Sequence, residues 1–489
     1  MKQLKSYYRI MFFVSITVMF LGCQSEQKQS KGERLAKNMC SSCHLFTEPA
    51  LLTKEVWDAN TLPEMGLRLG MSKHGKRLYA KTKEGVYFPK QPLLSQEDWD
   101  AIVAYYIESA PDSIVTKKQH IANTSNLFKC QTFSYGFQPS TIITMAAFNS
   151  YDKSLYLGDG RLSSLFVVDM DGKIIKKEKL DSPPVKITFQ DSVKSVLTIG
   201  SLYPSNRPLG ILKLGDKKID SLTRPVDFLV KDINSDGFED VLISEFGNNI
   251  GSLVWYENLK DKNYKRHTIL NLPGSIKMDY ADINQDNVED LLVLVSQESE
   301  TLYALNFHDG EFQQTNLIQH QPAFGSNDFQ VTDIDMDGDK DIILSNGDNA
   351  DYSTILKDFH GVRIFVNDGK GEFSETYFYP FHGASKVVVD DFNLDGKKDM
   401  LAIANFGDFN DENYTSVVLL LNQGGLNFKP YAIPDVPKYR WQTMDLADID
   451  DDGDKDILIG AFNINIGPEE SVLKKVPKVS WIKLENTVY

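Results

Sequence analysis

One nine-residue pattern, repeated five times, constrains this chain more than anything else in it. Asp232-Ile-Asn234-Ser-Asp236-Gly237-Phe-Glu-Asp240 returns as Asp282-Ile-Asn284-Gln-Asp286-Asn287-Val-Glu-Asp290 and as Asp333-Ile-Asp335-Met-Asp337-Gly338-Asp-Lys-Asp341. It returns again as Asp391-Phe-Asn393-Leu-Asp395-Gly396-Lys-Lys-Asp399 and Asp448-Ile-Asp450-Asp-Asp452-Gly453-Asp-Lys-Asp456. Successive copies begin 50, 51, 58 and 57 residues apart. A fixed period of this length means one supersecondary unit stacked on copies of itself, because no single unit buries its own apolar face.

The units share a plan. A strand enters the Asp loop, and a short apolar strand such as Val241-Leu242-Ile243 leaves it. A Gly/Asn-rich loop follows, then a strand ending in Asn: Trp255–Asn258, Ile364–Asn367, Leu419–Asn422 and Ile482–Asn486. A last strand closes the unit, as over Tyr264–Leu270 and Asn427–Ile433. Four strands per unit at this period predict the blades of a β-propeller. Two further units keep the strands without the Asp loop, over Ser154–Asp169 and Val196–Leu214, which makes seven. The final unit runs out of chain before its outer strand. Leu127–Phe133, ahead of the first blade, is the candidate to supply it and so remove the exposed edges.

The Asp loops resemble the FG-GAP/VCBS repeats of integrin-type propellers. That resemblance implies one structural Ca²⁺ per loop: alternate oxygen side chains converge, the glycine lets the chain turn sharply, and the last Asp closes the site. The implied ligands are Asp232, Asn234, Asp236 and Asp240; Asp282, Asn284, Asp286 and Asp290; Asp333, Asp335, Asp337 and Asp341; Asp391, Asn393, Asp395 and Asp399; and Asp448, Asp450, Asp452 and Asp456. The second loop departs from the pattern with Asn287 in place of Gly. Asn tolerates left-handed backbone, so that site is weakened and not lost. The plainer alternative is an Asp-rich turn that needs no metal.

The second informative stretch is Cys40-Ser41-Ser42-Cys43-His44. C-x-x-C-H is the attachment motif for a c-type haem: two thiols reach the two vinyl groups, and the adjacent imidazole becomes an axial ligand. A zinc site would need two more ligands, and no second Cys pair lies nearby. Gly32–Met39 reads as a helix leading into the motif. Ser95-Gln96-Glu97-Asp98 reads as a capping box ahead of Trp99, Ile102, Val103 and Tyr106, with Ala110-Pro111 as the stop. A helix before the motif and an amphipathic helix at the end resemble the small class I cytochrome c domain, in which these two helices cross. The resemblance implies a sixth ligand between them, usually a Met thioether. Met65, between Pro63 and Gly66, is the first choice because it suits a loop; Met71 is the second, with His74 or an open position remaining. Pro89–Leu94 is expected to line the haem edge.

Lys2, Lys5 and Arg9 precede an apolar run, Ile10–Leu21, that is too short for an ordinary membrane span. Phe20-Leu21-Gly22-Cys23 resembles a bacterial lipobox, which implies lipidation of Cys23. The four cysteines are then one for lipid, two for haem, and Cys130, expected as a small buried strand residue. The net charge of −16 argues against nucleic acid or an anionic lipid surface as a partner.

The plan expected is a multidomain chain: signal peptide 1–22, tether 23–31, an all-α cytochrome c haem domain 32–110, linker 111–126, and an all-β seven-bladed propeller 127–489. Fully extended, the linker could span roughly 50 Å, so the haem domain is either mobile or docked. The expected role is electron transfer at the bacterial envelope through a lipid anchor, with a redox partner protein and a carbohydrate or other small-molecule substrate at the ring. The rival is a propeller dehydrogenase oxidising a sugar or alcohol and reducing its own haem. The repeated Trp docking motifs of quinoprotein propellers are absent, and no G-x-S-x-G, H-E-x-x-H or P-loop occurs. The loops Gly347–Gly361 and Phe406–Ser416 are the candidate binding face.

Overall fold

The computed structural model describes residues 29–71, 88–89, 91–119, 121–136, 140–190, 193–260, 263–347, 355–464 and 478–488. The signal segment, Cys23 and His74 lie outside the described residues.

Seven antiparallel four-stranded sheets follow one another along the chain. Numbered as blades 1 to 7, they cover residues 143–179, 184–222, 225–270, 275–319, 326–380, 384–431 and 441–486. The second strand of each Asp-loop blade is buried throughout, because it sits between the sheets on either side; Asp240–Glu245 and Asp456–Ala461 are examples. That is why these strands read as continuous apolar runs and not as alternation. The first strands of neighbouring blades touch one another all the way round, so they are innermost and the ring is closed. In every blade the pairing of first and second strands slips after the first residue, as between Pro225 and Asp227 or Trp441 and Thr443. A bulge of this kind adds the local twist that a propeller blade requires.

Blade 7 has only three strands of its own. Phe128–Phe133 pairs antiparallel with Trp481–Asn486, from Phe128 opposite Asn486 to Phe133 opposite Trp481. The ring is therefore closed by a strand from before blade 1. Phe133 stacks on Trp481 with ring centroids 3.9 Å apart, and the Trp481 indole N–H donates to the Tyr135 hydroxyl at 2.9 Å. Cys130 lies in this closing strand, half-buried, and burial pushes its thiol up to about 12, as suits an unreactive packing residue.

A helical segment precedes the ring. It comprises α1 (Lys31–Cys40), α2 (Lys54–Val56), α3 (Leu62–Arg68) and α4 (Gln96–Ser109). Wider π-helical turns over Trp57–Thr61 join α2 to α3. The Ser30 hydroxyl caps α1 through the Glu33 amide, and the Ser95 hydroxyl caps α4 through the Asp98 amide at 3.1 Å. The two helices cross where Gly32 meets α4: a Cβ at Gly32 would stand 2.1 Å from the Ala101 carbonyl oxygen. Ala36, Trp57, Leu62, Met71, Trp99, Ile102 and Tyr106 form the core of this segment. That core also packs against Ala323 and Ile355 of the propeller, so the helices do not bury a core independent of the ring.

The linker is laid down on the ring and is not a free tether. The Lys117 amide donates to the Asp358 carboxylate at 3.0 Å, and the Gln119 side-chain oxygen accepts from the His382 amide at 3.1 Å. Thr124 bridges Ala432 in parallel, with Ser125 donating to the Ala432 carbonyl.

Candidate functional sites

Topology places the two groups of candidate residues on opposite faces. Each Asp loop joins the first and second strands of its blade. The helical segment instead touches Glu298, Gln321, Ala323 and Ile355, all in connections between second and third strands or between blades. In an antiparallel blade these connections lie at opposite ends of the strands. The Arg68 guanidinium pairs with Glu298, and the Glu48 amide donates to the Gln321 side chain at 3.0 Å. Of the two loops expected to form a binding face, Gly347 with 355–361 and Phe406–Ser416 are on the helical face. Residues 348–354 of the first lie outside the described residues.

The cysteine–histidine motif sits at the end of α1. Cys40 is half-buried beside Tyr106, and burial raises its thiol above the ordinary range. Cys43 is exposed. His44 is 8% exposed, and its Nδ1 lies 2.7 Å from the Leu45 carbonyl. That contact assigns the Nδ1 proton and leaves Nε2 as the free lone pair, the arrangement of a metal-ligating imidazole. Two thiols three residues apart with such an imidazole next to the second fit a covalently bound haem. Tyr106 is held by the hydroxyl contact to the Thr47 carbonyl at 3.0 Å, which ties the segment after the motif to α4.

The two methionines differ from the expected picture. Met65 is not on a loop: it is in α3, half-buried against the helical core. Met71 follows the end of that helix and is 3% exposed. Gly70 takes φ +67° and its amide bonds the Leu67 carbonyl, while the Met71 amide bonds the Gly66 carbonyl at 2.8 Å. This is a Schellman stop, and it turns the Met71 side chain into the core. Pro89 and Gln91 carbonyls lie against Gly70, and the Leu93 amide donates to Leu69, so the 89–94 stretch packs on this turn.

The Asp loops have one construction. In four of the five loops the first Asp accepts the amides of positions five and six, as Asp232 does from Asp236 and Gly237 and Asp391 from Asp395 and Gly396; in the blade 7 loop Asp448 Oδ1 has no partner. Position six has positive φ, and Asn287 adopts it at +67° like the glycines elsewhere. Position four also has positive φ in every loop, at Ser235, Gln285, Met336, Leu394 and Asp451, which the sequence pattern does not announce. The ninth-position Asp acts as a latch. Asp240, Asp341 and Asp456 each accept the amide of loop position two on one oxygen. The other oxygen accepts the amide of the Asn that ends the third strand: Asn258, Asn367 or Asn486. The recurrent Asn is thereby explained. In blade 4 the same service comes from the Asn306 side chain to Asp290.

Among the described residues, carboxylates of Asp333, Asp335 and Asp337 gather within 4.8 Å, as do those of Asp448, Asp450 and Asp452. The seventh positions of these two loops add Asp339 and Asp454, 7% and 5% exposed, which the nine-residue pattern did not single out. Burial, reinforced by the adjacent Asp337 and Asp452, pushes Asp339 up to about 6 and Asp454 up to about 7. Clustered carboxylates of this kind favour either a proton or a cation.

Sequence reasoning also missed a buried basic group under the helical face. Lys357, His360, Arg363, His382 and Arg440 are each 5% exposed or less. Arg363 donates to Asn346 and to the Phe359 carbonyl and lies 4.0 Å from the Phe378 ring centre. Burial lowers His360 and His382 from their ordinary value, so both are neutral near pH 7. They come from three stretches, 357–363, His382 and Arg440, and only the packing of neighbouring blades gathers them.

Comparison with known proteins agrees with this architecture. The family described as FG-GAP-like repeat matches residues 232–293 and 391–459. The chain thus carries FG-GAP-like repeats on a seven-bladed β-propeller. Similar solved structures include the Pan2 WD40 domain of Neurospora crassa, 10% identical over 76% of this chain and 99% of that one, TM-score 0.46. The Cps50 (Swd1) propeller of Myceliophteria thermophila is 9% identical over 71% and 97%, TM-score 0.44. The N-terminal domain of Nup159 is 10% identical over 76% and 98%, TM-score 0.40. No curated protein sequence matches the chain.

Proposed function

We propose that the chain is an envelope-anchored c-type cytochrome: haem attached at Cys40 and Cys43, His44 as one axial ligand, and a Ca²⁺-braced ring that seats the haem segment and binds a redox partner. Bound there, the haem supplies one-electron transfer. The observation that carries the reading is the motif's setting. His44 is buried with Nδ1 held by Leu45, leaving Nε2 free, in a helical segment pressed on one face of the ring. The protein's own part is to fix that imidazole, keep water from the apolar side through Trp57, Leu62 and Met71, and limit the partner to what reaches this face. The lipobox-like stretch Phe20–Cys23 supports a lipid anchor at Cys23 on a bacterial membrane surface, facing periplasm or exterior.

The pyridine haemochrome spectrum of the purified chain tests the attachment. A c-type spectrum that is lost in Cys40→Ala/Cys43→Ala is expected; no haem in protein made with a functional maturation system would sink it. The sixth ligand is Met65, with Met71 the alternative. Met65→Ala abolishes the Met-to-iron charge-transfer band if Met65 is the ligand; survival of the band there and its loss in Met71→Ala assign Met71.

The second reading, a dehydrogenase oxidising a sugar or alcohol, is favoured by the buried basic group around His360 and Arg363 beneath the helical face. Haem reduction by substrate alone, with no partner protein, would select it.

A further inference from the structure

The five Asp loops differ at two of the odd-numbered positions that present side chains to the loop centre. Positions three and seven are Asn234 and Phe238, Asn284 and Val288, Asp335 and Asp339, Asn393 and Lys397, and Asp450 and Asp454. The loops of blades 5 and 7 therefore carry carboxylates at all five odd positions, and among those odd positions the other three loops carry them only at one, five and nine. In blade 6 the Lys397 ammonium already sits 2.8 Å from Asp395.

A second observation marks the rich loops: among the described residues they hold four of the five buried, unpartnered carboxylate oxygens of the Asp loops, Asp399 Oδ2 of blade 6 being the fifth. Asp454 is 5% exposed and neither of its carboxylate oxygens has a hydrogen-bond partner; Asp448 Oδ1 is also unpartnered. Asp339 is 7% exposed with Oδ1 unpartnered, and it stands against Asp337 as Asp454 stands against Asp452. A buried carboxylate with no donor is costly, and here its nearest neighbours are like charges. A hard divalent cation with oxygen ligands offsets this like-charge repulsion, and carboxylate count is what tunes the affinity of such sites.

Building on the reading that the Asp loops take Ca²⁺, we infer that the sites are graded: the loops of blades 5 and 7, completed by Asp339 and Asp454, bind tightly, and that of blade 6 binds weakly because Lys397 stands in for the ion. The two tight loops brace the blades on which the rest of the chain depends. In blade 7, Asp456 accepts from Asn486 at 2.9 Å, on the strand that holds the closing segment Phe128–Phe133. Blade 5 is the blade that, with the connection leading into it, presents Gln321, Ala323 and Ile355 to the helical segment. Calcium thus acts first where the ring is sealed and where the helices are seated.

Calorimetric titration of the EDTA-stripped full chain with CaCl₂ tests this. Two ions are expected to bind at least tenfold more tightly than the remainder. Asp339→Asn and Asp454→Asn each remove one tight site, and without calcium each is at least as resistant to heat as the unaltered chain, since a buried repulsion has gone. Lys397→Asp adds a third tight site. Equal affinity at all sites, or two tight sites surviving in both Asn variants, overturns the grading alone. No heat of binding and no calcium-dependent shift in melting temperature overturns the calcium reading with it.

Discussion

At the scale of single residues, the ring is stitched by charges that no local pattern advertises. Lys186, Asp227, Lys277, Asp328 and Lys386 occupy the third position of the first strand in blades 2 to 6, so the sign alternates from blade to blade. Lys186 pairs with Asp227, and Lys277 with Asp328 at 2.8 Å. Each Asp also accepts an amide from the following blade, Met278 for Asp227 and Val387 for Asp328. Removing one partner strands the other in a poorly solvated channel wall. Asp328→Ala is expected to cost about 3 kcal/mol in denaturant unfolding. The double variant Lys277→Met/Asp328→Leu should recover much of that loss; additive losses would show that the two groups are independent. In blade 7 the equivalent role falls to Asp445, which accepts the Phe148 amide of blade 1 at 2.7 Å. Burial, only partly offset by the Phe148 and Leu446 amides and by Lys386, pushes it up from 3.8 to about 6. The folded state then holds more protons than the unfolded state between those values, so this group's contribution falls as pH rises from about 4 to about 6. Asp445→Asn keeps an acceptor for Phe148 and removes the titration. Its stability relative to the unaltered chain should rise across that window in pH-dependent unfolding; a flat difference would exclude Asp445 as the source.

At the scale of elements, the crossing of α1 and α4 is the contact on which the setting of the C-x-x-C-H motif depends. Gly32 is at the point of closest approach, where any side chain meets the Ala101 carbonyl and Tyr105 Cβ. Gly32→Val should push the helices apart and free the segment that ends at Cys40. Limited proteolysis is expected to cut within residues 29–111 while leaving the propeller intact, and the haem spectrum should lose its native form. Equal protease resistance would mean the crossing tolerates separation. The cap at Ser95, the Pro111 stop and the strand runs of all seven blades were legible because each depends on residues within one turn or one strand. Met65 was misread as a loop residue because Pro63 and Gly66 look like breakers. Pro63 falls in the first turn of α3, where a missing amide costs nothing, and Gly66 is needed beside the Trp99 ring.

At the scale of the whole molecule, closure decides stability. Trp481 is fully buried, stacks on Phe133 and donates to Tyr135, so it joins the last strand of the chain to the segment before blade 1. Trp481→Ala should cost about 3–5 kcal/mol and lower the melting temperature of the entire ring, read by near-ultraviolet dichroism. A transition confined to one part of the signal would mean that blades unfold separately. The same closed ring holds the Asp loops at one end of the strands and the helical segment at the other. The Asp loops and the helical segment are therefore coupled only through the blades between them.

The chain's own residues determined the repeat, the strand content, and the missing outer strand and its supplier. All of these are set by local spacing and by alternation or burial along a strand. Tertiary structure alone decided that the linker lies along the ring, that the helical core is shared with Ala323 and Ile355, and that Asp339 and Asp454 are buried without donors. It also decided which face of the ring Cys40–His44 meets. These depend on groups far apart in sequence being brought to one place, and an approach of that kind leaves no period for a reader of the chain to find.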